Sequence, residues 1–376
     1  DIFNMYVWFE VVIISSFILL TVGGKKMQME GAIKYVTMNM LASVIFLTAI
    51  AVLYGITGTL NIADIANKIT LVENKGLVTV TSLLFFVGFG IKSAVFPLYF
   101  WLPSAYHTPP SAIAAIFGGL LTKMGIYAML RVFTVIFQPD YFTLTLFSII
   151  AVLTLITGAL GTINKRSIRR ILSYLIICHI GYLIAGLGLN TELAFVALVF
   201  YLIHDVIVKS NVFMISGVIL KMRETVDITR LGSLLKDYPK FSFVVALVFF
   251  SLIGIPPLSG FWPKILLFQE SFKQENYILL AGLIVASFVT LFVIVRIWSE
   301  AFWKESPKHI TGEIDHFAPF SLSGKIALIT PIIGLAAVSL IIGLNANSFV
   351  KLSEKAAYEM KRPEIYINNV LGITKE

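Results

Sequence analysis

Six side chains that can carry a proton or a positive charge lie inside otherwise apolar stretches of the sequence: Glu10, Lys92, Lys123, His204, Lys209 and Lys264. A charged side chain near the centre of a bilayer costs about 2.5–3.5 kcal/mol, so each one needs a partner, a water-filled cavity or a function. Lysine, glutamate and histidine can all bind and release protons. Together these residue types predict a path for cations, and for protons in particular.

The first four stretches contain three of these residues. Glu10 and Lys92 are able to pair, and the lysine would then alternate between a bound, charged state and a released one. A static ion pair that fixes helix packing is the alternative. Lys123 follows Gly118 and Gly119, small residues that allow close helix contact, and no neighbour in sequence neutralises it. We expect it at mid-membrane, with snorkelling to an interface as the alternative.

His204 and Lys209 share one later stretch. Five residues separate them by about 140° around a helix and about 7.5 Å along it, so they flank each other rather than share a face. His204 is a candidate proton relay, or else a hydrogen-bonded core residue. Asp205 either neutralises Lys209 or lies at the bundle edge. His179 has no charged neighbour in sequence, and we expect a structural role for it.

The elements that must position these residues are membrane-spanning helices. Of the 376 residues 58% are hydrophobic and 13% charged, and the mean hydropathy is +0.89, which is too apolar for a soluble core. A bilayer is spanned by about 20 apolar residues. Ten runs of that kind predict an all-α, polytopic helical bundle: 3–22, 32–54, 77–101, 111–133, 143–163, 171–189, 193–220, 241–268, 277–303 and 326–350.

Two of the ten runs are interrupted by Gly and Pro, at 88–103 and at 254–263. Gly and Pro weaken the helical hydrogen-bond ladder, and freed backbone groups persist at membrane depth only where protein or water satisfies them. Interrupted helices in corresponding places indicate two repeated halves with an ion site at the breaks. Two ordinary proline kinks are the alternative. Lys92 and Lys264 adjoin the breaks, which favours the ion site.

The net charge of +8 does not indicate nucleic-acid binding, because the basic residues fall in short loops on alternate sides of the apolar runs. That asymmetry follows the positive-inside rule and places both ends of the chain outside. Cys178 is the only cysteine, so an intrachain disulfide is excluded. We find no nucleotide or metal motif, and His107, His309 and His316 form no ligand cluster in the sequence. The sequence therefore predicts no cofactor and no metal site.

Longer motifs resemble a known family. The run at 1–24, DIFNMYVWFEVVIISSFILLTVGG, resembles the glutamate-bearing fifth helix of the antiporter-like subunits of respiratory complex I, membrane-bound hydrogenases and Mrp-type multisubunit sodium/proton antiporters. Four further motifs are similar to that family: GTLNIADIANK at 58–68, IKSAVFPLYFWLPSAYHTPPSAIAAIFGGLLTKMGIYAMLR at 91–131, LIHDVIVK at 202–209 and GIPPLSGFWPK at 254–264. The segment RPEIYINNVLG at 362–372 is similar to the C-terminus of the D-type Mrp subunit.

The resemblance implies a fold of fourteen transmembrane helices with two inverted five-helix repeats and two discontinuous helices. The ten predicted spans would be the last ten, with the first helices outside this sequence. We expect a transmembrane domain at 1–350 and a C-terminal tail at 351–376, either amphipathic or extended.

Residue roles follow from the same resemblance. Glu10 and Lys92 would be the switch pair, and Lys123 the connecting lysine. His204 and Lys264 would continue the route to the outer side, and Lys209 belongs to the same motif as His204.

The resemblance implies a subunit of a multisubunit sodium/proton antiporter in a bacterial or archaeal cell membrane. Its partners would be other membrane subunits, protons and the lipid bilayer, with Na⁺ as a candidate second ion. One alternative is a proton-pumping subunit of a redox-driven complex, of the NADH dehydrogenase or hydrogenase type. Another is a structural membrane scaffold whose charges only specify helix packing. No redox centre in this chain is expected, and an enzymatic role would come only from an oxidoreductase complex.

Overall fold

The computed structural model describes residues 1–306, 317 and 320–372, so His309 and His316 lie outside the described residues. The described residues are almost entirely helical and contain no β-strand beyond one isolated bridge between Ser167 and Asp227. The first half of the chain forms α1 (Ile2–Thr21), α2 (Lys26–Thr57), α3 (Ile62–Ile69), α4 (Lys75–Ser93), α5 (Trp101–Ala105), α6 (Ser111–Ile116), α7 (Thr122–Val135), α8 (Tyr141–Ile163) and α9 (Ile168–Leu189).

The second half forms α10 (Glu192–Arg223), α11 (Leu234–Asp237), α12 (Pro239–Ile253), α13 (Phe261–Lys273), α14 (Tyr277–Trp298), α15 (Leu322–Leu344), α16 (Ala346–Met360) and α17 (Pro363–Leu371). Two π-helical turns interrupt or extend the long helices, Phe117–Leu121 between α6 and α7 and Ser299–Trp303 after α14. The prediction of an all-α polytopic bundle is confirmed.

Nine helical spans within the described ranges are long and apolar enough to cross a bilayer. They correspond to nine of the ten predicted runs. The remaining run, 241–268, folds as two helices, α12 and α13, with a break between Gly254 and Gly260. Neither helix alone has the length of a full span. The other predicted break lies between α4 and α5. Both discontinuous helices are therefore present, while the inverted repeat stays a prediction.

The ends of the last predicted span need correction. The run 326–350 does not form one helix, because α15 ends at Leu344 and α16 starts at Ala346. Between 351 and 371 the chain is mostly helical rather than extended. This segment packs on the bundle through Tyr366, whose ring centre lies 4.0 Å from the Arg131 guanidinium. Just before it, Phe349 stacks on Phe200 with ring centres 6.4 Å apart. The division into a domain and a tail at 350 stays a prediction.

Helix α9 lies at the centre of the bundle, since 94% of the residues in its membrane-spanning stretch are buried. Its neighbour α8 approaches it closely at glycine positions. A Cβ on Gly181 would lie 2.8 Å from the backbone nitrogen of Leu155, so no larger residue fits there without moving a helix. Because α9 has almost no lipid-facing side, every polar side chain on it must find its partner inside the protein.

Candidate ion path

The six predicted residues lie on five helices. Glu10 is on α1, Lys92 in the last turn of α4 and Lys123 in the first turn of α7. His204 and Lys209 are on α10, and Lys264 is in the first turn of α13. Glu10 is half-buried, and the other five are no more than 4% exposed. Five buried basic side chains in one bundle need neutral or anionic partners, and these partners define the site.

Lys92 and Glu10 do not form the predicted direct pair. Lys92 Nζ donates a hydrogen bond to Ser43 Oγ at 3.2 Å and lies 5.0 Å from the ring centre of Phe9. Among the ion pairs of the described residues, none joins Glu10 to Lys92 within 4.0 Å. Glu10 Oε1 is buried without a hydrogen-bond partner in the described part of the chain. The Lys92 ammonium is therefore bonded to Ser43 and not directly to Glu10.

A small cavity lies beside Lys92. It measures about 20 Å³, and Tyr35, Asn39 and Met124 contribute to its wall. That volume accepts about one water molecule. Met124 belongs to α7, so the cavity lies between Lys92 and helix α7, the helix that carries Lys123.

Lys123 is neutralised by a residue that its sequence neighbourhood does not contain. Its Nζ lies 2.7 Å from Asp205 Oδ2 of α10 and donates to the Gly118 carbonyl at 2.8 Å. Gly118 is in the π-helical turn, where the altered ladder leaves carbonyls available to side chains. With 3% exposure Lys123 does not snorkel to an interface. It is held in the bundle interior by one anion and one backbone dipole.

Asp205 connects three helices. Besides Lys123 on α7, it binds His179 on α9, whose Nδ1 lies 3.0 Å from Oδ1. A carboxylate only accepts, so Nδ1 of His179 donates and Nε2 is the atom that remains to take up a proton. Nε2 is buried and has no hydrogen-bond partner among the described residues.

The structure corrects the expectation for Asp205 and adds a contact for His179, whose structural role stays a prediction. Asp205 is central and pairs with Lys123, neither neutralising Lys209 by direct contact nor lying at the bundle edge. His179 has a charged neighbour in space, although it has none in sequence. The contact follows from the fold, in which α9 is almost wholly buried, and no sequence pattern around His179 indicates it.

Lys209 is fully buried, and its Nζ has no hydrogen-bond partner within the described ranges. It follows Asp205 by four residues, so both side chains lie on the same side of α10. Burying an ammonium group without hydrogen bonds in an apolar interior costs free energy. Lys209 is therefore suited to release its proton, or to be stabilised by an incoming negative charge or water.

His204 faces the break between α12 and α13. Its Nδ1 lies 2.8 Å from Ser259 Oγ, and the hydroxyls of Ser251, Ser259 and Ser339 lie 2.8–2.9 Å from one another. A hydroxyl both donates and accepts, so this cluster can pass a proton by reversing its hydrogen bonds. Asp205 contacts α7 and α9 instead, so these two adjacent residues of α10 contact different parts of the bundle.

Lys264 binds the end of the broken helix. Gly254, with φ 92°, ends α12, and Lys264 Nζ donates to the Ile253 carbonyl at 2.7 Å. It also lies 5.2 Å from the ring centre of Tyr182. A cation is favoured at a helix C-terminus because the last carbonyls have no partner in the helix. The break thus provides a site for the Lys264 charge.

Comparison with known proteins places this geometry in a family. The family described as "NADH:quinone oxidoreductase/Mrp antiporter, TM" matches residues 1–290. The chain belongs to this family. Within it, the chain is 43% identical over 372 residues to the D-type subunit of the Na⁺/H⁺ antiporter of Alkalihalophilus pseudofirmus, an alignment that covers 99% of the chain and 74% of that protein.

Two solved structures of the family have the same fold. A chain of the Mrp complex from a Dietzia species superposes with a TM-score of 0.89 at 29% identity, covering 99% of this chain and 76% of that one. A chain of the membrane-bound sulfane sulfur reductase, an archaeal respiratory membrane complex, gives 0.86 at 26% identity, with 98% and 74% covered. The resemblance drawn from the sequence motifs is confirmed.

Proposed function

We propose that this chain is the D-type subunit of a multisubunit Na⁺/H⁺ antiporter in a bacterial cell membrane. The relative with 43% identity is named as such a subunit, and one matching structure is that of an Mrp complex. The observation that carries a proton path is the buried Lys123–Asp205–His179 cluster, which lies between the lysines of the two broken helices.

The path that we propose contains Glu10, Lys92, Lys123, His204, Lys209 and Lys264. Each member has a buried group that can take up or release a proton, and the direct contacts that support the path are those of Lys123, His204 and Lys264. When one group changes its charge, the proton affinity of its neighbours changes with it. A proton can then advance in steps while the pairs rearrange.

Coupling to sodium would occur in the assembled complex. The partners that we propose are the other membrane subunits. In the assembled complex, the free energy of the proton flux would drive the opposing cation flux. Na⁺ would pass through this chain or through a partner. The domain at 1–350 would hold the path, and the tail at 351–376 would lie against its outer end.

The decisive experiment measures sodium-dependent proton movement in vesicles that carry the intact complex, without any electron donor. We expect Lys92→Ala to abolish exchange, whereas Lys75→Ala, which changes an exposed lysine at the other end of α4, leaves it unchanged. Wild-type exchange by an assembled Lys92→Ala complex would contradict the proposal.

A second candidate is a proton-pumping subunit of a redox-driven complex. The fold match to an archaeal respiratory complex, with a TM-score of 0.86, favours it specifically. This function predicts no proton movement in the wild type until an electron donor is supplied.

A structural scaffold predicts a third result, in which Glu10 or Lys264 substitutions reduce assembly while exchange per assembled complex stays constant.

A further inference from the structure

A buried carboxylate that the path above does not use lies near the end of α13. Glu270 is 2% exposed. Its Oε1 accepts a hydrogen bond from Gln274 Nε2 at 3.1 Å, and its Oε2 is buried without a hydrogen-bond partner among the described residues. A buried carboxylate oxygen without a partner is unfavourable. Protonation of that oxygen, or water bound to it, would remove the penalty.

Glu270 follows Lys264 along the direction of the bundle axis. The two residues are six positions apart in α13, which is about 9 Å along a helix. Contacts with the neighbouring helix α9 show the same order along the bundle axis. Lys264 lies over the ring of Tyr182, and Gln274 Nε2, further along α13, donates to the Leu189 carbonyl at 3.0 Å. Tyr182 and Leu189 are also about 10 Å apart along their helix. Glu270 therefore lies between Lys264 and the end of the bundle at Leu189.

A wide cleft opens at that end. It has a volume of about 480 Å³, and Ser148, Leu189, Gln274 and Asn276 line it. Gln274 thus forms part of the cleft wall while it holds the Glu270 carboxylate. The distribution of basic residues in the loops assigns this end of the bundle to the outside.

We propose that Glu270 is the proton acceptor at the outer end of the path, a proposal that rests on the proposed function. The Lys264 ammonium gives its proton through bridging water to the Glu270 carboxylate, which leaves a neutral amine and a carboxylic acid. The carboxylic acid then releases the proton to water in the outer cleft, and the carboxylate is restored. Ser271, the residue after Glu270, also has a buried hydroxyl without a hydrogen-bond partner in the described part of the chain.

A purely structural role is the competing explanation. In that case the hydrogen bonds of Gln274 to Glu270 and to Leu189 only fix the end of α13 against α9. Glu270→Gln separates the two explanations, because the amide has the same shape and still accepts a bond from Gln274 but cannot carry a proton.

The test uses the intact complex in everted vesicles, with exchange divided by the amount of assembled complex. We expect Glu270→Gln to lower sodium-dependent proton exchange at least about tenfold. Glu73→Gln is the matched control, since Glu73 is an exposed carboxylate in the loop before α4 that does not line the outer cleft, and it should exchange like the wild type. Wild-type exchange per assembled Glu270→Gln complex would overturn the proposal.

Two further variants complete the test. If Glu270→Gln does not assemble, Glu270→Asp decides, because it keeps the carboxyl but withdraws it by one methylene. It should slow exchange at least about threefold, and unchanged exchange would overturn the proposal. Lys92→Ala is measured beside them. If Lys92→Ala still exchanges, the proposed function and this inference both fall; if it is inactive while Glu270→Gln is normal, only the inference fails.

Discussion

The ammonium nitrogen of Lys123 lies 2.7 Å from Asp205 Oδ2, and neither side chain is more than 3% exposed. Removing one partner of a buried ion pair costs about 3–5 kcal/mol, because the other charge stays buried without compensation. We therefore expect Lys123→Met to reduce the amount of assembled complex sharply. Thermal unfolding and size-exclusion profiles of the purified complex measure this change.

The double variant is the control for that experiment. Lys123→Met with Asp205→Leu removes both charges, so it should recover stability relative to either single variant. Lys34→Met changes a lysine of an exposed pair, with Glu30 at 2.6 Å, and should have no measurable effect. Additive losses in the double variant would mean that the two charges do not act on each other.

The Lys264 side chain should be needed for both stability and transport. Its bond to the Ile253 carbonyl is a charged hydrogen bond in the protein interior, worth about 1.5–3 kcal/mol. Lys264→Met should lower the unfolding temperature of the complex and abolish exchange. Lys273→Met, which changes an exposed lysine of the same helix, should do neither. Normal exchange by Lys264→Met would remove Lys264 from the path.

The helices and the breaks were predictable because their causes are local. Runs of about 20 apolar residues need a membrane, and glycine and proline interrupt the ladder wherever they occur. Ionisable side chains inside those runs gave the candidate residues, and the motif resemblance then gave their expected roles. Lys264 beside the second break follows from the same local pattern, because the unpaired carbonyls of α12 attract the cation that lies nearest in sequence.

The partners of the buried charges were not predictable, because they are set by contacts between distant segments. Lys123 and His179 both bind Asp205, yet the three residues belong to three different helices. The residues that flank each of them in sequence give no sign of the contact. Likewise, helix positions allow Glu10 and Lys92 to meet, but a few ångströms of side-chain placement decide whether Lys92 binds Glu10 or Ser43.

His107, in the loop before α6, should make the complex sensitive to acid. Burial lowers its pKa to about 4, assisted by the positive charge of Arg170. Nδ1 donates to the Pro103 carbonyl at 2.7 Å, so the buried Nε2 is the atom that would be protonated. In the unfolded chain the pKa is about 6.5. Between about pH 6.5 and 4 the unfolded state therefore binds a proton that the folded state does not, and stability falls as the pH falls through this window.

The measurement compares unfolding temperatures of wild type and His107→Gln at pH 7 and pH 5. Glutamine does not titrate, so the variant should lose less stability over this interval than the wild type. The difference between the two unfolding temperatures at pH 7 measures the packing that is lost when glutamine replaces the imidazole, and so serves as the control. An equal drop in both proteins would show that His107 does not contribute to acid sensitivity.

Gly260 is expected to tolerate no side chain. A Cβ at this position would overlap the Ser251 carbonyl oxygen and lie 2.9 Å from Cε1 of His204. The carbonyl belongs to helix α12 and cannot move aside as a flexible side chain would, so the strain should exceed the usual overpacking penalty of about 1–3 kcal/mol. It would also displace His204 from Ser259 Oγ. Gly260→Ala should therefore lower both assembly and exchange.

Gly334→Ala is the matched control, because a Cβ there meets nothing within 4 Å, and it should leave both unchanged. Normal exchange by Gly260→Ala would show that the His204–Ser259 contact is not required for transport.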